Sequence, residues 1–252
     1  MAVLFREELQ PLLQIVRRDH QARYMWVRLR AETGRFLYIA ICYFPPSTSV
    51  YASPRGQSPF SILDDDIWEF SRDGDIILLG DFNARMANSQ TIFYDTSEEI
   101  LREVDISEMG LDRHSQDREH TEYGRYLMEM TTTHGLAILN GLEIFPSCGG
   151  FTCFPHRHGA STVDYVMTSP SFIPSIQDLN VVGSRPVWSS SGPCSFDFFS
   201  LLPVQCFSDA TEDCTHTVYF YTRDRLGLCR DLQTDVSSRT SLYCGGDHHS
   251  ID

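Results

Sequence analysis

The stretch Ile-Ile-Leu-Leu-Gly-Asp-Phe-Asn-Ala-Arg at 76–85 ends a run of β-formers on a glycine, and Asp81 and Asn83 follow at once. Side chains two apart on an extended segment point to one side. A carboxylate and a carboxamide are therefore presented together at the C-terminal end of an apparently buried strand. That pair suits a phosphodiester. The carboxylate orients or deprotonates an attacking water or helps hold a divalent metal, and the amide donates to a phosphate oxygen. Gly80 lets the backbone turn and a substrate come close. Taken alone, Gly-Asp-x-Asn also builds an ordinary turn.

Three further polar residues stand in comparable places. Tyr43 ends the apolar run in "YIAICYFPP", Asn140 ends another in "LAILNG", and Asp164 lies between Val163 and Tyr165 in "STVDYVMTS". A carboxylate inside an apolar strand is costly unless it is paired or serves a site. Four separate turns are a poorer explanation of these residues than one shared site.

The elements that must position them are readable from periodicity. Strands are expected at 12–16, 24–30 and 35–44; the last is almost continuously apolar, hence central and covered on both faces, and ends at Pro45 and Pro46. "SILDDDIWEF" at 61–70 has a cap-like Ser61 and acids in its first turn, so it reads as a helix feeding a strand at 75–80. Residues 86–122 are polar and weakly patterned, an insertion expected to overhang one end of the molecule. Tyr123, Tyr126, Leu127 and Met130 follow helical spacing, and Gly135 supplies a stop. Strands are expected next at 136–140, 151–154, 162–168, 176–182 and 195–202. Many strands with few helices imply two packed sheets flanked by helices.

Composition bounds the rest. A chain of 252 residues with 42% apolar and 12% aromatic residues is long enough for one well-buried α/β domain with a remainder. The expected division is a domain over 1–202 and a divergent, Cys-containing, irregular tail over 203–252. No apolar stretch reaches the roughly 18 residues of a membrane span, and the N-terminus lacks a signal-peptide layout. A soluble intracellular protein without a membrane partner is therefore expected. The formal charge is -14, and all 20 basic residues are arginine. Nucleic acid would be repelled at long range, so any contact would need a local cluster such as Arg17, Arg18, Arg23, Arg28 and Arg30; a solvated face of a strand pair is the plainer reading of those arginines. The eight cysteines, at 42, 148, 153, 194, 206, 214, 229 and 244, are too widely spaced for a zinc knuckle, even with His248 and His249 nearby. No zinc is expected in the tail, and free thiols are expected instead of disulfides.

The ordered set of Tyr-x-Pro-Pro at 43–46, "GDFNA", a helix leading to "GLAILN", and Ser-x-x-Asp-Tyr at 161–165 resembles the endonuclease/exonuclease/phosphatase superfamily. It is most similar to the endonuclease domains of non-LTR retrotransposons and to apurinic endonucleases. The resemblance covers about residues 1–202, and "LLGDFNA" is its most specific element. It implies a deoxyribonuclease-like, four-layer α-β-β-α sandwich that hydrolyses phosphodiesters by in-line water attack with Mg2+, with nucleic acid as a candidate substrate. Position by position, it implies that Tyr43 contacts the phosphate, Asp81 orients or activates the water near the metal, and Asn83 is the phosphate-binding companion of Asp81. Asp164 matches the aspartate that orients a catalytic histidine, and Asn140 completes the set.

This chain departs from that pattern at both ends. The family's metal-site Asn and Glu precede a strand like "MAVLF", and Glu7 and Glu8 follow it, so the first strand or strands are expected to be missing and an edge or groove exposed. Near the other end, anchoring on Pro193 places Ser190 at the family's aspartate position and Ser191 at its histidine position. Loss of a proton-transfer group alone costs roughly 10²- to 10⁴-fold in rate. His156 and His158 read as solvated loop residues, not replacements, and His134 as favourable charge placement at a helix C-terminus. The expectation is a phosphodiester hydrolase fold with impaired or no activity in this chain. The alternatives are an active Mg2+-dependent nuclease or phosphatase and a non-catalytic nucleic-acid or protein binder.

Overall fold

The apolar run at 36–43 is the axis of the fold. In the computed structural model, the described residues are 2–30, 35–91, 94–95, 102–103, 111–145, 149–153, 159–176, 179–182, 198–205, 215–221 and 240–244. The strands in chain order are β1 (Ala2–Arg6), β2 (Leu13–Arg18), β3 (Tyr24–Arg30), β4 (Phe36–Tyr43), β5 (Gly74–Asp81), β6 (Tyr94–Asp95), β7 (Arg102–Glu103), β8 (Ala137–Ile138), β9 (Asp164–Thr168), β10 (Leu179–Val182), β11 (Phe198–Gln205), β12 (Thr215–Tyr221) and β13 (Thr240–Cys244). Among the described residues there are two α-helices, α1 (Asp64–Phe70) and α2 (Glu122–Thr133), and short 3-10 segments.

A six-stranded mixed sheet runs β2-β3-β4-β5-β9-β8, with β4 and β5 parallel at its centre. Alternation along β4 explains its continuous apolarity. Leu37, Ile39 and Ile41 enter one apolar cluster, while Tyr38, Ala40 and Cys42 enter another on the opposite face. The second cluster lies under the helices, where Ile67 and Phe70 of α1 and Tyr123, Tyr126, Leu127 and Met130 of α2 pack against the sheet. The first cluster gathers Leu111, Leu142, Phe145, Ile176 and, from β10, Leu179. The result is a mixed α/β fold whose central sheet is flanked by helices.

Helix α2 follows its sequence signals closely. Thr121 caps it by accepting from the amide of Gly124 at 3.1 Å, and Gly135 closes it at φ +60°. Helix α1 begins later than expected: Ser61–Leu63 form a 3-10 turn, and the Ser61 hydroxyl donates to the Ser58 carbonyl instead of capping. Asp64, Asp65 and Asp66 occupy the first turn, where negative charge complements the helix dipole.

The structure corrects several expectations. The stretch at 136–140 is a strand only over Ala137–Ile138, and the described part of 151–154, residues 151–153, contributes an isolated bridge from Cys153 to Ser161. The described ends of 86–122 are woven into the body. Gln90 exchanges hydrogen bonds with both backbone groups of Ile138, donating to its carbonyl and accepting from its amide, each at 2.9 Å, so a side chain continues the sheet where no strand is present. The segment expected to be an irregular tail supplies β12 and β13, which enter a five-stranded sheet ordered β10-β11-β12-β1-β13. Strand β1 is thus paired on both sides and forms no exposed edge. The alternation of "THTVYFY" was the local sign of β12.

Among the described residues, no helix is long and apolar enough to cross a membrane. Cys42 is a free, buried thiol, and burial pushes its pKa up. Arg17 pairs with Asp66 and Glu69, and Arg23 with Asp19 at 2.8 Å, consistent with a local role for the arginines of the first strand pair.

Candidate functional site

Sheet register assembles the site. Along β4, β5 and β9, Ile41, Leu79 and Val166 are neighbours in one cross-strand row. Two residues further on, the next row is Tyr43, Asp81 and Asp164. Period-two alternation puts this polar row on the same face as the apolar one beneath it. Three residues separated by up to 121 positions in sequence (164 − 43) thus stand side by side because their strands end at one level. Tyr43 is 37% exposed, whereas Asp164 is 2% exposed, so the row runs from solvent into the molecule.

Gly80 makes this register attainable. Its φ is +129°, and a Cβ there would lie 2.0 Å from the carbonyl oxygen of Cys42 on the neighbouring strand. The close approach that requires glycine is therefore between β5 and β4 themselves, rather than to a substrate.

Just past β5, the chain folds back on the row. The Asn83 amide donates to Asp81 Oδ1 at 2.8 Å, an Asx turn, and Asn83 adopts φ +48°, which asparagine tolerates better than most residues. One Nδ2 proton of Asn83 goes to the Phe44 carbonyl at 2.9 Å, while the Phe44 amide donates to the Asp81 carbonyl at 2.8 Å. The turn and the active-site readings of Gly-Asp-x-Asn are therefore compatible, because the turn holds the carboxylate at the end of the sheet.

Asn140 is 1% exposed and serves the backbone of β9: Nδ2 donates to the Asp164 carbonyl at 3.1 Å, and Oδ1 accepts from the Val166 amide at 2.8 Å. It replaces a missing strand partner with a side chain, much as Gln90 does for Ile138. The structure thus brings Asn140 to the site as the support beneath Asp164. His134 lies elsewhere, capping α2 and pairing through Nε2 with Asp64 of α1 at 2.9 Å. Ser190, Ser191, His156, His158, His248 and His249 fall outside the described residues.

Several contributors escaped the sequence reading. Fully buried Thr152 accepts at Oγ1 from the amides of Val163 and Asp164, both at 3.1 Å. Buried Arg113 donates from Nε to the Asn140 carbonyl at 2.7 Å and also bonds the Ser89 carbonyl. Arg85, the last residue of the opening stretch, pairs with buried Asp117. Burial opposes the Asp117 carboxylate, yet hydrogen bonds from Arg85, Thr162 and Glu119 hold its pKa below the ordinary value. The only local signal for this pair was an acid in a charge-dense stretch, "DRHSQDRE", which by itself reads as a solvated surface.

Among the described residues, no group of three or more His, Cys, Asp or Glu side chains is arranged to hold a metal ion. Magnesium commonly binds through one or two carboxylates and completes its shell with water and substrate phosphate. Asp81 and its neighbour Asp164 are the acids of the row, and they fit such a sparse protein contribution.

The family model described as "Endonuclease/Exonuclease/phosphatase family" matches residues 1–209. Among solved structures, the chain is similar to a 3' phosphatase from Neisseria bound to product DNA hairpin, at 14% identity and a TM-score of 0.44, covering 84% of this chain and 70% of that one. It is similar to a 3'-5' exonuclease from Neisseria meningitidis at 15% identity and a TM-score of 0.42, covering 83% and 70%. The endonuclease domain of TRAS1, a telomere-specific non-LTR retrotransposon, gives 16% identity and a TM-score of 0.36, covering 85% and 69%. No curated protein matches the chain.

Proposed function

We propose, from the premise that this chain belongs to the endonuclease/exonuclease/phosphatase family, that it carries a phosphodiester-hydrolase site of endonuclease type with weakened chemistry. The observation that carries this reading is the cross-strand row of Tyr43, Asp81 and Asp164 at the shared end of β4, β5 and β9. In this reading the second sheet packs on the face that bears the row, giving the four-layer sandwich, and nucleic acid is the substrate class.

Each residue has a physical task. The Tyr43 hydroxyl donates to a phosphate oxygen from the solvent end of the row. Asp81, oriented by the Asn83 amide, orients an attacking water and takes its proton. The second Nδ2 proton of Asn83, the first being held by Phe44, donates to the phosphate. Asp164 is fixed through its backbone by Asn140 and Thr152. Magnesium, held by Asp81 with water and phosphate oxygens, would polarise the phosphate and lower the pKa of bound water. By the resemblance, Ser190 and Ser191 take the positions of an aspartate that would help hold the metal and a histidine that would bind the scissile phosphate or serve in acid-base chemistry, and a serine does neither as well.

Nicking of supercoiled plasmid with Mg2+ tests the reading. The expected result is slow cleavage that Asp81→Ala abolishes and that joint Ser190→Asp and Ser191→His replacement accelerates by roughly 10²- to 10⁴-fold. Robust cleavage by the natural chain, lost in Asp81→Ala, would overturn the weakening. Cleavage indifferent to Asp81→Ala would overturn the assigned site, and silence of both the natural and the restored chains would remove the hydrolase reading.

A further inference from the structure

The two acids of the row arrive on segments far apart in sequence, and one ion pair, between partly exposed Arg85 and buried Asp117, joins the segments. Arg85, four residues after Asp81, forks onto Asp117: Nε donates to Oδ2 at 2.8 Å and Nη2 donates to Oδ1 at 2.7 Å. Nη1 donates to Glu119 at 2.6 Å. The same Asp117 carboxylate accepts from the amide of Thr162 at 2.8 Å, two residues before Asp164, and from the amide of Glu119 at 3.0 Å.

Neighbouring bonds extend the tie in both directions. On the Asp164 side, the next two amides, of Val163 and Asp164, hang from Thr152, so three consecutive amides entering β9 are fixed by two buried side chains. On the Asp81 side, the Arg85 amide donates to Thr121 Oγ1 and the Thr121 amide donates to the Arg85 carbonyl, both at 3.0 Å, which seats the motif loop on the N-cap of α2. Gly124 allows this seat, since a Cβ there would lie 2.0 Å from the Arg85 carbonyl oxygen. From the helix-facing side of the sheet, the Tyr165 hydroxyl donates to the Thr162 carbonyl at 2.8 Å and accepts from the Met86 amide at 3.3 Å, a second link between the same two segments.

We infer that Arg85 and Asp117 are positioning residues, a clamp that sets Asp81 and Asp164 against each other for in-line hydrolysis; this rests on the phosphodiesterase reading of the row. Geometry is what such a pair supplies. An ion pair, whether exposed or partly buried, often contributes little net stability, whereas the planar guanidinium fork fixes distance and orientation at once. The segments it joins flank the acids by four and two residues, so a small rotation at the clamp is transmitted to both carboxylates. A misplacement of about 1 Å at reacting groups can cost roughly 10²-fold in rate.

The test uses the full chain with Arg85→Lys, which keeps the charge but loses the fork, and Asp117→Asn, which keeps the shape but loses the charge. The readouts are steady-state Mg2+-dependent cleavage of a fluorophore–quencher oligonucleotide, thermal unfolding, and residue-resolved amide hydrogen exchange. For Arg85→Lys the expected result is a kcat loss of roughly 10- to 10²-fold with KM and Tm nearly unchanged. Exchange at Asn83, Thr162 and Asp164 should rise by about tenfold or more while the amides of β3 and β4 stay protected. Natural kcat and natural exchange at those three amides in Arg85→Lys would overturn the clamp, as would a uniform rise in exchange across both variants. If neither the natural chain nor its joint Ser190→Asp and Ser191→His form cleaves, the hydrolase reading fails on its own, and local against uniform exchange still decides the clamp.

Discussion

Replacing Gly80 by alanine should be among the most damaging single-methyl changes in this chain, and its cost can be built from the geometry. The residue sits at φ +129°, a conformation that side-chain-bearing residues rarely adopt, costing about 1–3 kcal/mol. The added Cβ would meet the Cys42 carbonyl oxygen at 2.0 Å and its carbonyl carbon and amide nitrogen at 3.0 Å, all backbone atoms of the paired strand. No side chain can rotate away, so β4 and β5 must separate locally and weaken one or two ladder hydrogen bonds, at about 1 kcal/mol each. The reduced freedom of the unfolded chain offsets about 0.4–1 kcal/mol. The net loss is about 3 kcal/mol, and for a domain of this size about 2–4 °C accompanies each kcal/mol, so Tm should fall by about 10 °C. Gly135→Ala is the matched control: its φ is +60°, nothing lies within 4 Å of the added Cβ, and the expected loss is about 1 kcal/mol. Thermal and urea unfolding of the two variants side by side gives the comparison. Equal losses in the two would refute the argument that strand contact, and not merely positive φ, requires glycine before Asp81.

Two other perturbations follow from the same contacts. Asn140→Ala strips the partners from the Asp164 carbonyl and the Val166 amide, two buried backbone groups, and should cost about 2–4 kcal/mol by urea unfolding; Asn140→Asp, which keeps an acceptor for Val166 but cannot donate when ionised, should not restore the natural value. Asp117 has a native pKa held below the ordinary 3.8, so its stabilising contribution is fully present above about pH 4 and is lost as pH falls through the depressed native value. Acid titration of unfolding free energy should therefore show a decline below pH 4 that is smaller in Asp117→Asn, which starts from a lower stability at pH 7; an unchanged acid slope would contradict the pairing.

The parts of this molecule that were legible in the sequence are those governed by short-range rules. Runs of β-forming residues predicted β3 and β4, the latter by its almost continuous apolarity, and helical spacing with a glycine stop predicted α2, because burial on one or two faces imprints itself within a few residues. The gathering of Tyr43, Asp81 and Asp164 into one row was legible for a related reason: polar groups at the ends of apolar strands conflict with burial unless they are brought together. What could not be read was which residue answers which. Arg85 and Asp117 are 32 positions apart and Asp117 and Thr162 are 45 apart, and neither separation leaves a local pattern. Asn140 looked like a site group because it ends a strand; its amide completes the edge of β9, a role that register alone reveals.

Charge argues that recognition at this site is local. Among the described residues, Arg17, Arg23, Arg85 and Arg125 each pair with carboxylates of the chain itself, and Arg113 is buried against backbone carbonyls. A net charge of -14 repels a polyanion at long range, and arginines already engaged by acids release few counterions from one. A phosphodiester held at the row would then be held by short, directional contacts: the Tyr43 hydroxyl, the second amide proton of Asn83, and a divalent ion beside Asp81. Those contacts are strong only when their geometry is fixed in advance. Gly80, Asn140, Thr152 and the Arg85–Asp117 fork all act on that geometry, through the backbone of the three strands that form the row.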